Sequence, residues 1–535
     1  MYTPEMMESI KKVESTRAAR MRETVPRMTA EEKEKILNEY HPDYRQDCFT
    51  TIKVGPNRGD KAAVELADIL HARSRVENLD IDLSVVDYDL DVLVIGGGGS
   101  GASAAIEAHE SGANVMIVTK LRLGDANTMM AEGGIQAADK SHDSPQTHYL
   151  DALGGGHFKA VPELLRKLVM DGPIAIRWLE NLGVLFDKEK DGTMITTHGG
   201  GTSIKRMHAA RDYSGAEIMR VVRDEVYNRK IPVVDYTAAL EILLDDKGNA
   251  AGAILQNMET GEHLVVRAKT VIIATGGSGR LHYQGFPTSN HYGATGDGLV
   301  LGYRAGAKLL YQYTYQFHPT GVAHPPQIYG ALVTEKTRSV GALFVNVEGE
   351  SFVHPLETRD VASAAVIREC SVRGKGIATP SGGIGLWLDS PVIDIIHGSG
   401  TLEKRIPAMM RMYGKYDIDI RRVPMLIYPT LHYQNGGLQI NIDGQTPNVK
   451  NLYVAGEAVG GIHGENRLMG NSLLDIIVFG RNAGSHAARA CRNISTPKGL
   501  NTDHVRRFTK EAEEAGVKSN SLSPMLLPGY ARVGR

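Results

Sequence analysis

Two histidines and two arginines stand out as residues that could bind an anion: His318, Arg359, His432 and Arg467. All four fall between apolar runs, in the kind of loop where binding residues concentrate on a rigid scaffold. Arginine makes bidentate contacts with carboxylates, and a buried cation needs an anionic partner. A single histidine is more often a satisfied structural residue, but the four together favour a site for a small molecule with two carboxylates.

A glycine-rich turn marks the element around which the chain is organised. An apolar strand, Val92–Ile95, leads into the turn Gly96-x-Gly98-x-x-Gly101, a helix of small residues and a second apolar strand, Val115–Val118. This order is typical of a dinucleotide-binding βαβ unit: the first glycine permits the tight turn, the second lets the backbone approach a pyrophosphate, and the third lets helix and strand pack closely. The helix N-terminus offers free N–H groups to the phosphates.

Two further features bear on the nucleotide. The second strand ends in Thr119–Lys120, where an acidic residue would normally bind the ribose hydroxyls, and this counts against an ordinary NAD site. A third apolar strand begins at Thr270 and runs into Thr275-Gly276-Gly277, a pattern that closes many nucleotide-binding sheets beside the phosphates. The two glycine motifs together make a nucleotide site a much stronger prediction than either alone.

The composition excludes several classes of function. A formal net charge of −2 over 535 residues gives no basic excess for nucleic acid. The three cysteines are far apart and lack CxxC spacing, which argues against a disulfide framework, a metal site or an iron–sulfur cluster held by this chain alone. No window approaches the roughly 18 uncharged residues of a membrane span, and the charged N-terminus lacks a signal-peptide core. We expect a cytoplasmic protein, peripheral to a membrane only through a partner.

Helical patterns flank the nucleotide-binding unit. Glu5–Arg27 and a segment that opens with a capping box at Thr29 predict two helices, and Asp60–Ser74 predicts a third, amphipathic one. This N-terminal region is equally compatible with a solvated extension and with an arm that docks a partner, and it shows no catalytic pattern. Residues 161–187 predict an amphipathic helix that places three side chains in the core: Trp178, Leu182 and Leu185.

From Asp89 to Cys491, the chain resembles the flavoprotein subunits of succinate dehydrogenases and fumarate reductases, a family that includes L-aspartate oxidases. The motifs that carry the resemblance occur in the family's order and spacing: GGGGSGASAA, Thr119–Lys120, AEGGIQAA, ATGGSG, TGDG, QFHPTG, LVTE, TRD, LHY, AGE and NRLMGNSLLD. So many separate motifs in order make the resemblance specific, and it implies FAD as the dinucleotide.

The resemblance implies a role for each matching residue. Arg359 would deliver a proton to one carbon of fumarate while reduced flavin gives a hydride to the other, and Glu335 and Arg338 would return the proton to that arginine. The substrate carboxylates would be bound by His318, Thr334, His432 and Arg467. The FAD would be bound by Gly96, Gly98, Gly99, Ser100, Gly101, Ala102, Thr119, Lys120, Asn127, Thr128, Gly133, Gly134, Ala239, Thr275, Gly276, Asp297, Tyr433, Glu457, Arg467, Ser472 and Leu473.

Three features depart from the family's pattern. Asn127 stands where respiratory members carry the histidine bound covalently to FAD, so we expect noncovalent FAD and a bias toward fumarate reduction over succinate oxidation. Met469 replaces a glycine near the flavin and bears on substrate preference. The family's long C-terminal helical domain is nearly absent and 88 residues precede the nucleotide motif, so we expect rearranged partner surfaces.

The sequence therefore predicts an α/β fold in which a capping domain splits a Rossmann-like FAD-binding domain. The predicted divisions are a helical N-terminal extension (1–88), the FAD-binding domain (89–312 and 432–493), the capping substrate domain (313–431) and a much reduced C-terminal tail (494–535). The predicted function is FAD-dependent fumarate reduction or succinate oxidation, with no metal of its own and electrons from an iron–sulfur subunit of the same complex. The alternatives are an L-aspartate oxidase, a reductase of another unsaturated acid and, disfavoured by the intact site residues, a non-catalytic electron-relay subunit.

Overall fold

The computed structural model describes residues 2–528. The helices in this range are α1 (Pro4–Arg20), α2 (Ala30–Tyr40), α3 (Val64–Leu70), α4 (Gly99–Glu110), α5 (Asn127–Met130), α6 (Pro145–Gly155), α7 (Pro162–Leu182), α8 (Ser214–Asn228), α9 (Asp297–Ala305), α10 (Lys336–Ser339), α11 (Arg359–Ser371), α12 (Val392–His397), α13 (Thr401–Arg405), α14 (Pro407–Gly414), α15 (Asn471–Cys491) and α16 (Asp503–Glu514). None of these helices combines the length and the apolar character that crossing a bilayer requires.

The strands are mostly short, and the longest lie in two sheets. They are β1 (Phe49–Thr51), β2 (Lys61–Ala63), β3 (Arg73–Ser74), β4 (Tyr88–Ile95), β5 (Val115–Val118), β6 (Ile135–Gln136), β7 (Thr196–Thr197), β8 (Met207–His208), β9 (Val233–Val234), β10 (Thr237–Leu244), β11 (Ala250–Asn257), β12 (His263–Ile273), β13 (Leu309–Leu310), β14 (Tyr315–Val322), β15 (Leu343–Val345), β16 (Ile377–Ala378), β17 (Ile384–Asp389), β18 (Met425–Gln434), β19 (Gly437–Leu438), β20 (Leu452–Val454) and β21 (Leu522–Ser523).

The larger sheet contains the predicted βαβ unit. Its strand order is β10-β11-β12-β4-β5-β9, and β20 also pairs with β12. The strands β9, β5, β4, β12 and β20 are parallel, whereas β10 and β11 attach antiparallel. β5 is buried throughout, as expected for a parallel strand covered on both faces. The helices α4 and α15 pack on each other and on strands β4 and β12. The predicted order of strand, glycine turn, helix and strand is therefore confirmed as β4, α4 and β5.

The second sheet is antiparallel and has the order β14-β18-β17-β15, with β16 paired to β17. Its longest pairing, β14 with β18, is interrupted. Gln316 pairs with Tyr433 and Phe317 pairs with Leu431, so that His432 is an extra residue on β18. Such a β-bulge bends the strand and re-aims the unpaired side chain.

The two larger of the three hydrophobic clusters in the described residues correspond to the two sheets. The first core surrounds the larger sheet and includes Leu93, Ile117 and Phe479. The second core surrounds the antiparallel sheet and includes Phe344 and Trp387. The strands β14 and β18 belong to both cores, because each begins in one core and ends in the other.

The N-terminal region is folded onto the rest of the chain. α1 buries one apolar face in the second core, and α2 packs against α11. The capping box at Thr29 is confirmed, since its hydroxyl accepts from the Glu32 N–H at 3.3 Å and its own N–H donates to the Glu32 carboxylate at 2.8 Å. The prediction of a helix over Asp60–Ser74 was too long. Residues 61–63 pair with β1 instead, which confines the helix to α3.

The prediction that Leu185 lies in the core is wrong. Leu185 is 73% exposed, because α7 ends at Leu182 and the chain turns at Gly183, whose φ of 102° is left-handed. Trp178 and Leu182, which lie within the helix, pack partly buried against the first core, as predicted.

The C-terminal segment pairs with the stretch that precedes the nucleotide-binding unit. β21 pairs in parallel with β3, and the Arg75 Nε donates to the Pro524 carbonyl at 2.6 Å. The Arg304 guanidinium also donates to the Ser523 hydroxyl at 2.6 Å. The C-terminal segment is therefore held against the N-terminal region and α9, and Leu526 shares a third, smaller hydrophobic cluster with Val76.

Two glycine substitutions should separate close packing from backbone strain. At Gly101 an added Cβ would overlap the Gly96 carbonyl oxygen, whereas at Gly112 the φ of 85° is strained but no atom lies within 4 Å. Gly101→Ala should cost about 3 kcal/mol or more through overpacking, and Gly112→Ala only about 1 kcal/mol. Thermal unfolding should show a clearly larger loss of melting temperature for Gly101→Ala, and equal losses would contradict this account of the turn.

Candidate active site

The glycine turn after β4 forms one end of a deep cleft. Gly96 has a φ of 122°, and an added Cβ there would overlap the Ala274 carbonyl oxygen at the end of β12. The chain then enters α4, whose Gly99 N–H donates to the Thr128 hydroxyl at 3.1 Å. The cleft lies at the carboxyl ends of the parallel strands, where open α/β sheets bind their ligands.

The cleft is lined by residues of both glycine motifs, 96–100 and 275–276. Most residues that the sequence assigned to the cofactor line it: Gly96, Gly98, Gly99, Ser100, Thr119, Lys120, Asn127, Thr128, Ala239, Thr275, Gly276, Asp297, Tyr433, Glu457, Arg467, Ser472 and Leu473. Four of the assigned residues do not lie in this lining: Gly101, Ala102, Gly133 and Gly134. The first two are buried in α4, and Gly133 faces the side chain of Met469.

The polar groups of the cleft fit an adenine dinucleotide. The N-terminus of α4 lies in the lining and suits a phosphate. Lys120 Nζ donates to Thr295 Oγ1 at 2.6 Å and to Asp297 Oδ2 at 2.5 Å, which fixes a cation at the end of β5. The Thr275 hydroxyl is buried in the lining with no hydrogen-bond partner within residues 2–528. A buried polar atom of this kind is expected to bond to a ligand.

Asn127 is held by three hydrogen bonds in the wall of the cleft. Its Nδ2 donates to Asn290 Oδ1 at 2.8 Å and to Glu457 Oε2 at 3.2 Å, and its Oδ1 accepts from the His291 N–H at 2.6 Å. The amide is therefore fixed in orientation, and an amide cannot act as the nucleophilic imidazole of a covalent flavin link.

The residues proposed to bind substrate come from separate elements. His318 lies on β14, His432 at the bulge of β18, Arg359 at the start of α11 and Arg467 in the loop before α15. The two histidine rings are 5.1 Å apart, centroid to centroid. All four positions are brought into one cluster. His432 and Arg467 also line the cleft, so the cluster is continuous with the dinucleotide site.

Glu335 and Arg338 lie beside this cluster. The Glu335 carboxylate accepts from Arg359 Nε at 2.8 Å and from the Gly200 N–H at 2.6 Å, and it lies 3.2 Å from Arg338 Nη2. All three charged side chains are buried. Thr334 is also buried, and its hydroxyl accepts from the Lys336 N–H at 3.3 Å.

Charge and burial together set the protonation of the cluster. Burial, then the charge of Arg359, lowers the pKa of His318 well below its usual range, and burial with Arg359 and Arg467 does the same to the pKa of His432. Burial alone would raise the pKa of Glu335, but the charges of Arg359 and Arg338 outweigh it and lower that pKa. The cluster therefore combines neutral histidines, three guanidinium groups and one carboxylate, an excess of positive charge that an anion would compensate.

Two buried nitrogen atoms of the four cluster residues have no hydrogen-bond partner within the described part of the chain: His318 Nε2 and Arg467 Nε. The Thr320 N–H donates to His318 Nδ1 at 3.3 Å, so the proton of the neutral imidazole is on Nε2. Both atoms are therefore donors, and an unsatisfied buried donor is costly. A carboxylate ligand would satisfy them.

Gln316 is a site residue that the sequence analysis missed. Its Oε1 accepts from Arg359 Nη1 and from Arg467 Nη2, both at 3.0 Å, and so bridges the two arginines. A signal was present, because Gln316 and His318 are two residues apart on one strand and therefore share a face. Gly200 was missed as well, since a backbone N–H leaves no mark in a sequence.

Comparisons with known proteins show to which family the chain belongs. A family model described as an FAD binding domain matches residues 91–473. One of the subunits of the fumarate reductase (CoM/CoB) of Methanothermobacter marburgensis is 37% identical over 435 residues, 79% of this chain and 76% of that protein. L-aspartate oxidase of Streptomyces coelicolor is 34% identical over 418 residues, 76% of this chain and 68% of that protein.

Among solved structures, a variant of the E. coli quinol fumarate reductase FrdA superposes with a TM-score of 0.72 at 29% identity, covering 80% of this chain and 74% of that one. The match confirms the mixed α/β fold and extends well beyond the glycine turn. The chain therefore belongs to the family of FAD-dependent oxidoreductases that contains the fumarate reductases, the succinate dehydrogenase flavoproteins and the L-aspartate oxidases.

Proposed function

We propose that this protein reduces fumarate, or runs the reverse oxidation of succinate, as the flavoprotein of a multi-subunit complex. The observation that carries the proposal is the buried chain Arg338–Glu335–Arg359, which ends beside the unsatisfied donors of His318 and Arg467 in a cluster joined to the dinucleotide cleft. FAD, when bound, supplies two electrons as a hydride. The remaining requirements of the reaction are to hold a dicarboxylate and to deliver one proton to carbon.

The hydrogen-bond donors of the cluster would orient the substrate. Arg467 and the neutral histidines would hold the two carboxylates, and Arg359 would face the double bond from the position it takes beside Gln316. Fixing the substrate in this way removes much of the entropic barrier to the reaction. The guanidinium groups also stabilise the negative charge that develops on the substrate as the hydride adds.

Arg359 would act as the acid. It gives a proton to one substrate carbon as the hydride reaches the other, so that the double bond is reduced and succinate is formed. Arginine is a weak acid, and Glu335 is placed to return a proton to it at once, since its carboxylate contacts both Arg359 and Arg338. Arg338 would in turn supply a proton to Glu335.

Replacing the proposed acid should slow reduction strongly. Arg359→Gln should slow reoxidation of the chemically reduced flavin by fumarate about 10²–10⁴-fold, the range expected for a lost general acid, in anaerobic stopped-flow measurements. Arg422→Gln is the matched control, because the Arg422 side chain is 85% exposed, and it should react as wild type does. An Arg359→Gln protein with the wild-type rate would contradict the acid role.

L-aspartate oxidase is the second candidate, supported by the relative from Streptomyces coelicolor. An amino acid substrate would bring an ammonium group into the cluster. The nearby carboxylates are already engaged: Glu335 by Arg359, and Glu457 by the Gln434 N–H at 3.0 Å and by Asn127. The electrostatics therefore favour a dianion without an ammonium group.

This preference would be reversed if L-aspartate reduced the oxidised flavin and fumarate did not reoxidise the reduced flavin. If neither compound reacts, reoxidation of the reduced flavin by other unsaturated acids tests the third candidate, a reductase of a different unsaturated acid.

We also propose that FAD is bound noncovalently, because the fixed amide of Asn127 stands at the position that matches the linking histidine. Acid precipitation of the purified protein should leave all of the flavin in the supernatant. Flavin fluorescence that stays with the denatured chain on a gel would contradict the proposal.

An iron–sulfur subunit is the proposed electron partner. The cysteines are dispersed, with Cys370 and Cys491 buried on different helices, so the chain does not gather a cluster from them. The related protein of Methanothermobacter marburgensis is itself named as one subunit of an enzyme. Anaerobic affinity purification from native extract should therefore yield a stoichiometric partner with bound iron and sulfide. A purified preparation that reduces fumarate with its native electron donor but contains no iron protein would contradict the proposed partner.

The two cores support the proposed division into an FAD-binding domain, residues 89–312 and 432–493, and a capping domain, residues 313–431. The second core draws its members from the capping range and from the N-terminal helices, and the first core draws on both FAD-binding ranges. In this division the substrate cluster lies where the two domains meet.

A further inference from the structure

The N-terminal residues 2–74, here called the strap, belong to both hydrophobic cores. α1 buries Met6, Ile10 and Val13 in the second core, while the part after α2 buries Ile52 and Leu66 in the first. The strap precedes residues 91–473, which the family model covers. It is therefore a part of this chain that the family's own motifs do not explain.

The strap is a third connection between the cores. The chain also passes between them in β14, from Phe317 to Val322, and in β18, from Ile427 to Leu431. Those two strands are neighbours in one sheet, and two adjacent strands can bend together as a hinge. A third connection at a different place restrains that bending.

The strap holds the helix that begins with the proposed acid. Glu357 is fully buried two residues before Arg359. Its Oε1 accepts from the Met28 N–H at 2.8 Å, and its Oε2 lies 3.1 Å from Lys33 Nζ. α2, which carries Lys33, packs along α11. A buried carboxylate that loses its cation is strongly destabilised. The two contacts therefore stabilise the residues that lead into α11, in addition to the bonds that Arg359 and Asp360 make to Glu335 and His157.

A second anchor reaches the strand on the other side of Arg359. Asp43 Oδ2 accepts from the Tyr315 N–H at 2.8 Å, next to Gln316, whose side chain bonds to Arg359. The Pro42 carbonyl accepts from Gln284 Nε2 at 2.9 Å. The strap thus contacts both α11 and β14, the two elements that bring Arg359 and Gln316 together.

We propose that the strap is a positioning device, in which Lys33 and Met28 act through Glu357 to fix the start of α11 so that Arg359 faces Gln316 and Glu335. The proposal rests on the proposed function only for its catalytic consequence. A displacement of about 1 Å in a reacting group can cost about 10²-fold in rate, so a small loss of this restraint is enough to be measured.

The test compares Lys33→Met with Lys11→Met in the full-length, FAD-loaded protein. Lys11 pairs with Glu8 on the exposed face of α1, where both side chains are more than two-thirds exposed, so its loss should have no effect. Methionine keeps the length and the helix propensity of lysine. Two quantities are measured: hydrogen exchange of the α11 amides, and the rate at which fumarate reoxidises the reduced flavin.

Lys33→Met should raise exchange in the first turns of α11 about tenfold and slow reoxidation by about the same factor, with FAD content and flavin potential unchanged. Lys33→Arg should restore both quantities, and Lys11→Met should change neither. If hydrogen exchange of α11 is unchanged in Lys33→Met, or rises equally in both methionine variants, the proposal that the strap holds α11 is wrong. Raised exchange with a wild-type rate would overturn its positioning role. If the wild-type protein fails to use fumarate, the proposed function fails, and the exchange comparison still decides whether the strap holds α11.

Discussion

The Glu335 carboxylate is the contact on which the arrangement of the site depends. Two guanidinium groups and a backbone N–H converge on it out of contact with solvent. Without it, Arg359, Arg338 and Arg467 would face one another as like charges, and a pair of unit charges 4 Å apart interacts by about 4 kcal/mol even at an effective dielectric constant of 20. One carboxylate among three arginines leaves the cluster positive overall, an imbalance that an anion would compensate.

The position of this cluster follows from how the two cores are joined. β14 and β18 run from one core into the other, and they carry Gln316, His318 and His432 at the crossing. The bulge at His432 places this ring 5.1 Å from that of His318, although the two residues are not paired in the sheet. The strands that connect the cores therefore also supply side chains that we propose to bind the substrate, and any change in the angle between the cores changes the site.

The sequence was most informative where a local pattern has a local cause. Gly101 is required because a Cβ there would overlap the carbonyl oxygen of nearby Gly96, and the capping box at Thr29 involves residues only three apart. The site residues were predicted from motifs whose roles came by resemblance. Gln316, Gly200 and Glu357 were missed because their importance comes from contacts with residues 43 to 329 positions away, and no periodicity records such pairs. The sequence showed that the N-terminal helices have apolar faces, but it did not show that α1 packs into the second core.

The pairing of β3 with β21 has a consequence for synthesis. β3 lies before the nucleotide-binding unit and β21 lies after α16, so a ribosome must make everything from β4 to α16 before the two strands can meet. Contacts between residues so distant in sequence form late, because closing a long loop costs entropy before the contact repays it. The β3 segment is thus among the last to be secured, and Val76 beside it is fully covered only when Leu526, a member of the same hydrophobic cluster, has been made.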